Sequence, residues 1–429
     1  MLQTNSSALE ASARKSLIYQ KALPVTDTPA LWQFFPAEGL KRDTVVYIKH
    51  LSFAASTVDA GVETNTYLSW EIRNMKKQIL AVAVAGAFAV PAFAAADSNV
   101  TLFGQLQTQI VHHSGGPDGF DSGFRMQDAG AAGWASDGNG PNRIGFLANH
   151  DLGNGLTGLL KIEQDVRTTE GIGQNGRARD VYVGIDGDFG RVTAGRMSMP
   201  YSTAGKDPLN GTFMQARAGG GRLGPADFGG LGNGSYLDRV LAYSNSFGMV
   251  SLNVAAAIDN ADDSNTALSG RLNFDIGPVD LYVAHTNADD YSPAGLVNTD
   301  FRASKIGADW KSGPFRVVGE VEDFKVDPAG AGDFKGNTYF VSGVYTMGRN
   351  DFVLSLGHTN LDGSNNNTDF AAIAVKHNFT NRVMAFAGVS YSSFDENAGL
   401  TGAPAAPANN GLVDDYSFTG VGGGLRVSF

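Results

Sequence analysis

Apolar and polar residues alternate with a period of two along most of this chain from Ala95 onward, and no stretch there holds a 3.6-residue repeat. In Val100 to Ile110, the residues Val100, Leu102, Leu106 and Ile110 share one face, and Thr101, Gln105, Gln107 and Gln109 share the other. Ile306, Ala308 and Trp310 oppose Lys305, Asp309 and Lys311. Phe315, Val317 and Val321 oppose Arg316, Glu320 and Glu322, and Ile144 and Phe146 oppose Arg143 and Asn149. Each run is therefore read as a strand with one apolar and one polar face.

The connections decide what kind of sheet this is. Tight links at 151–155, 187–190, 277–278, 311–313, 348–350 and 381–382 alternate with long polar ones at 167–177, 199–237, 260–267, 290–300, 327–337, 362–369 and 395–415. Short turns on one rim and long loops on the other are the pattern of a transmembrane antiparallel β-barrel, and a soluble sandwich has no need of it. Counting strands between connections gives about sixteen, an even number, and strands of about 9–11 residues suffice to cross a bilayer. The last strand places Val421, Gly423, Leu425, Val427 and Phe429 on one face, with Gly422, Gly424, Arg426 and Ser428 on the other. Left bare in water it would be an aggregating edge, so it is expected to close against the first strand, Val100 to Ile110.

A second pattern lies upstream. Met75 to Ala96 has Lys76 and Lys77, then the apolar run Ile79 to Val90, then Pro91 and the small-x-small triplet Ala92-Phe93-Ala94. These are the parts of an export signal in order, and the run is too short and Ala-rich for a spanning helix. The expected organisation is 1–74 as a mispredicted N-terminal extension, 75–94 as a signal peptide cleaved after Ala94, and 95–429 as the barrel.

Composition removes several alternatives. The sequence has 55 Gly and 26 Phe but no Cys, so no disulfide or thiolate metal site forms. The net charge of −11 argues against a nucleic-acid partner. Residues 1–94 hold nine bases and seven acids, so the barrel segment has 23 and 36, a net of −13. Gly153 to Gly158 and Gly219 to Gly224 fit G-x-G-x-x-G, but neither opens a helix after a strand. Asp188-Phe-Gly190 lacks the other kinase elements and reads as a turn. His112 and His113 are adjacent on a strand and point to opposite faces, a poor metal pair. No catalytic residue, metal or cofactor is indicated.

Several motifs together resemble the general trimeric porins of Gram-negative bacteria, β-proteobacterial ones above all. They are Val100-Thr-Leu-Phe-Gly104, Asn142-Arg-Ile-Gly-Phe146, Asp151-Leu-Gly-Asn-Gly-Leu156, Tyr182-Val-Gly-Ile185 with Phe189-Gly190, Gly195-Arg196, and Leu425-Arg-Val-Ser-Phe429. The resemblance covers 95–429 and implies a water-filled channel for passive diffusion of ions and small hydrophilic solutes. It implies a third loop, Met199 to Leu237, folded into the lumen, with Asp227 in Leu223-Gly-Pro-Ala-Asp-Phe-Gly-Gly230 as its tip carboxylate and Asp207 as a second loop acid. Opposite, Arg143 and Arg179, both given lumen parity, match the family's wall arginines, with Arg239, Arg316, Lys161 and Glu163 as further members. Such a field across the narrowest point orients polar solutes and penalises apolar ones. Arg222 stands where relatives carry an acid, which leaves ion preference open.

The resemblance also implies a homotrimer in an outer membrane among lipopolysaccharide, with Phe429 read by the barrel-assembly machinery. Arg196 shares parity with the outward Val192 and Ala194, and a lipid-facing guanidinium near midplane costs about 2–4 kcal/mol. An intersubunit pair with Glu170 of the second loop is one reading; a rim arginine at headgroup level is the other. Two further functions stay in view, a substrate-selective porin and a non-conducting envelope barrel or adhesin. No lumen-phase aromatic series of the sugar-channel kind is seen.

Overall fold

The computed structural model describes residues 98–116, 121–128, 142–169, 178–217, 223–224, 231–234, 236–258, 265–292, 298–329, 333–363, 366–395 and 415–429. The expectations for 1–94 and for Glu170, Arg222 and Asp227 lie outside them. The described residues form β1 (Ser98–Gly115), β2 (Gly123–Gln127), β3 (Arg143–Gly153), β4 (Leu156–Asp165), β5 (Ala178–Gly187) and β6 (Gly190–Met197). Then come β7 (Leu237–Phe247), β8 (Val250–Ile258), β9 (Thr266–Ile276), β10 (Val279–Tyr291), β11 (Thr299–Ser312) and β12 (Phe315–Pro328). The last are β13 (Phe334–Met347), β14 (Asn350–Leu361), β15 (Asn367–Asn378), β16 (Val383–Phe394) and β17 (Tyr416–Ser428).

From β3 to β17 each strand pairs antiparallel with the next, and β1 joins β3 on one side and β17 on the other. The result is a closed ring of sixteen, with the short β2 as a splint on the upper half of β1. β2 and β3 are two pieces of one interrupted strand. Between them the edge of β1 is bare at Gln107, and the Asn142 side chain fills the gap. Its Oδ1 accepts from the Gln107 N–H at 2.6 Å, and its Nδ2 donates to the Gln107 carbonyl at 2.8 Å. A side-chain amide thus stands in for one rung of the ladder.

Closure is sealed at the C-terminus as the last strand's pattern required. Gln105 pairs with Ser428 and Gly115 with Phe418. Gly104 and Phe429 exchange backbone hydrogen bonds at 3.0 and 3.2 Å, and the Phe429 ring covers Gly104 so closely that a Cβ there would lie 2.3 Å from it. At the opposite extreme of crowding, Gly248, Gly277, Gly313 and Gly348 have open space around them but φ of 55–62°. Each is the first central residue of a two-residue hairpin link, the type II′ position where only Gly is unstrained. Asn154-Gly155, both at positive φ, make the type I′ link between β3 and β4.

The outward faces are apolar and exposed, including Val183, Ile306, Val321, Val341, Leu354, Ile373 and Leu425. So broad an apolar surface on a closed barrel is a lipid-facing band. Phe189, Phe247, Phe315, Tyr345, Phe352, Phe379 and Phe429, all exposed, gather beside the short-turn rim as an aromatic girdle. The buried groups lie within the ring.

Candidate pore constriction

Inside the β3 to β5 wall, Arg143, Lys161, Glu163 and Arg179 come together, along with Asp165 and Asp180. Glu163 is the hub. It meets Lys161 at 2.8 Å, Arg143 at 3.5 Å, and accepts from Arg179 Nε. Lys161 also reaches Asp180 at 2.5 Å, and Arg179 reaches Asp165 at 2.9 Å. Simple alternation does not put Arg179 there, since it shares parity with the exposed Val181 and Val183. A register shift between Ile162 and Gln164 on the paired strand breaks the alternation and delivers both Arg179 and Asp180 to the inner side.

The same device corrects the reading of Arg196. Gly195 sits at φ 150° where the register with β7 shifts, and Arg196 turns back into its own chain. Its Nη1 donates to Asp238 at 2.7 Å, its Nε to the Ala178 carbonyl at 2.7 Å, and it lies over the Tyr236 ring that Arg179 also faces. Asp238 of its own chain is therefore one partner of Arg196, and Glu170 lies outside the described residues.

Between β6 and β7 the described residues of 198–236 touch inward groups around much of the ring. Tyr201 N–H donates to Ser269, Lys206 pairs with Asp280, and the Lys376 ammonium donates to the Pro208 carbonyl. Gln107 and Arg426 donate to the carbonyls of Gly211 and Asn210, and Gln109 accepts from Phe213 N–H. The firmest attachment is to β11 and β12. Arg217 donates to Glu320 at 2.5 and 2.8 Å, to Glu322 at 2.5 Å and to the Leu223 carbonyl at 3.0 Å. Lys305 lies 3.4 Å from Glu322 and over the Tyr201 ring, and Asn233, Tyr201 and Tyr282 complete the carboxylates' partners. Burial opposes the charge of Arg217, but Glu322 and Glu320 more than offset it and raise its pKa.

The remaining expected residues are placed elsewhere. Asp207 does not offer a free carboxylate to the lumen. It is half-buried and ties its own segment, accepting from the N–H groups of Leu209, Ala216 and Arg217 at 2.9, 2.7 and 3.1 Å. Burial pushes its pKa up against the downward pull of those donors. Arg316 forks onto Asp309 at 2.8 and 2.9 Å beside the short turn at Gly313. Arg239 is exposed, at φ 57°, and donates to the Ile258 carbonyl at the end of β8. Neither joins the Glu163 cluster. The sequence reading named no role for Arg217, Lys305, Glu320, Glu322 or Arg426, although polar-face parity already marked all but Arg217.

A closed sixteen-stranded ring with an apolar belt and a polar, charge-lined interior is the architecture of a water-filled transmembrane barrel. The family profile described as Gram-negative porin matches residues 81–397, well over half of the sequence. The chain is a Gram-negative porin. Outer membrane porin protein 32 of Delftia acidovorans is 25% identical to it over 375 residues, covering 83% of this porin and all of the relative. The solved anion-selective porin from Comamonas acidovorans superposes with a TM-score of 0.63 at 22% identity, covering 78% of this chain and 100% of that one. The trimer form of OmpT from Vibrio cholerae gives 0.55 at 12% identity, covering 77% and 99%, and trimeric structures thus stand among those sharing the fold. This porin is an outer-membrane channel for passive diffusion, and its fold and family are those of channels rather than enzymes.

Proposed function

We propose that solutes pass between the 198–236 segment and the Arg143, Lys161, Arg179 wall, and that the passage favours anions. The observation that carries this is an imbalance of pairing inside the barrel. On the inner faces of the strands, Glu163, Asp165, Asp180, Glu320 and Glu322 each have a cation within 4 Å. Arg426, on the inner face of β17, instead spends its donors on Gln107 Oε1 and the Asn210 carbonyl. Lys376 has Asp351 only at 3.8 Å. A paired carboxylate exerts little field at a distance, whereas a cation met only by neutral acceptors, as Arg426 is, leaves a positive potential in the lumen. The solved Comamonas structure of similar fold carries the description anion-selective, which agrees.

The test is a planar bilayer under a potassium chloride gradient. The reversal potential should have the sign of chloride-selective passage, and Arg426→Gln should roughly halve the permeability ratio. A cation-selective wild type would defeat the charge argument, and a silent one the channel itself. The reading includes a homotrimer in a lipopolysaccharide-bearing leaflet, Phe429 as the group presented to the assembly machinery, and cleavage after Ala94. Edman sequencing of the membrane form should begin at Ala95. Arg196 pairs with Asp238 of its own chain, which supports reading it as an intrachain contact rather than a bridge to Glu170 of a neighbour.

A further inference from the structure

The inner face of β5 to β9 carries a row separate from the Glu163 cluster. Asp186, Arg191, Ser244, Asn253 and Arg271 stand opposite one another in register across these neighbouring strands. They line a polar cavity of about 570 Å³, with Ser246, Ser251 and Asn273 one step nearer the short turns. That volume lies in the range of small-solute sites.

The row's charges are unequally matched. Asp186 Oδ2 accepts both Nε and Nη2 of Arg191, at 2.9 and 2.5 Å. Arg271 has no carboxylate at ion-pair distance among the described residues. Its Nη1 donates to the carbonyl and hydroxyl of Thr203, at 3.0 Å each, and its Nε is buried without a hydrogen-bond partner. The guanidinium also borders a second cavity of about 360 Å³ that runs up beside Ser198, Pro200 and Thr203. Asp280, on the wall of the larger cavity, is taken up by Lys206 and by Asn273 at 2.9 Å. Asp275 lies four residues from Arg271 along β9, about 13 Å toward the turn rim.

We propose that Arg271 anchors a solute subsite for small monocarboxylates with a neutral, hydroxyl-rich body. This deepens the channel reading above and rests on it. A partly buried guanidinium lacking an anion gains most from a solute carboxylate, because the charge-assisted bond supplies the counter-charge it lacks. Ser244 and Asn253 then offer a hydroxyl and an amide to the body of the solute, and Asp275 repels a second carboxylate at its far end.

The experiment adds potassium gluconate, or glucose as the uncharged counterpart, to the channel in a bilayer at fixed potassium chloride. Gluconate should reduce the chloride current with saturation, and glucose at equal concentration should not. Arg271→Gln should raise the half-blocking concentration roughly ten-fold, the loss expected for one charge-assisted pair. Replacing the neutral pair as a whole, Asp186→Asn with Arg191→Gln, should change it by less than about two-fold. Asn253→Asp sets a competing carboxylate directly across from Arg271 while leaving Arg271 in place, and should weaken the block as Arg271→Gln does. Block unchanged in both the Arg271 and Asn253 variants, with potassium chloride conductance intact, overturns the subsite, as does a conducting wild type that gluconate never blocks. A wild type silent in potassium chloride defeats the channel reading instead, so the two failures are distinct.

Discussion

Arg143 keeps 33% of its side-chain surface and Lys161 20%, whereas Arg217, Lys305, Glu320 and Glu322 keep 3% or less. Both clusters balance cations against carboxylates, and both project inward from neighbouring strands. The difference is what lies over them. The β3 to β5 cluster is open enough for its charges to be felt by a passing ion. The β11 and β12 cluster is capped by Arg217 and Asn233 of the long segment, so its charges are consumed in holding that segment against the wall. Identical residue types thus serve a filter in one place and a fastening in the other, and exposure separates the two roles.

The sharpest way to break this contrast is Arg217→Ala. It leaves Glu320 and Glu322 buried with Lys305 as their remaining cation, a loss of about 3–5 kcal/mol for a broken buried pair. The thermal unfolding midpoint of the purified barrel should fall, and single-channel conductance should rise and fluctuate as the segment comes off the wall. Normal midpoint and conductance would show that the fastening lies elsewhere. Next in size, Lys161→Gln on the open wall should shift the reversal potential toward cations by about two-fold in permeability ratio, with little change in midpoint. A fall in midpoint like that of Arg217→Ala would erase the distinction between the walls.

The smallest expected effect concerns pH. The Asp207 carboxyl is raised above the 3.8 of a free side chain, so in the window just above that value the folded state binds more protons than the unfolded one. Stability therefore falls as pH rises through that window. Asp207→Asn should flatten this slope and lower stability by about 1 kcal/mol, since its Oδ2 is lost as acceptor for Ala216 and Arg217. Melts across the acid range read both.

What the sequence made legible follows from its period of two. Ile306 and Trp310 against Lys305 and Asp309 already told lipid from lumen, and the alternation of short and long links told sixteen strands in a ring. Phe429 at the end of an apolar face told where the ring closes. Alternation fails where the chain breaks its own register. The shifts near Gly195 and Ile162 turn Arg196 and Arg179 in ways no parity count gives. Arg217 was illegible for another reason: its partner Glu320 is 103 residues away, joined to it only by the folded segment. Asp207 looked like a lumen acid because composition cannot show three N–H groups of its own loop converging on it.

The seam between β1 and β17 has a consequence in time. Ser428 and Gln105 stand 323 residues apart in sequence, yet they are neighbours in the finished wall. β1 cannot find its second partner until β17 has been synthesised and exported, so closure carries a very large sequence separation. Every intermediate before that moment has two unpaired edges and an apolar outer face, the condition that invites aggregation. A porin sealed by β17 must therefore be kept apart from its own kind throughout its passage to the membrane.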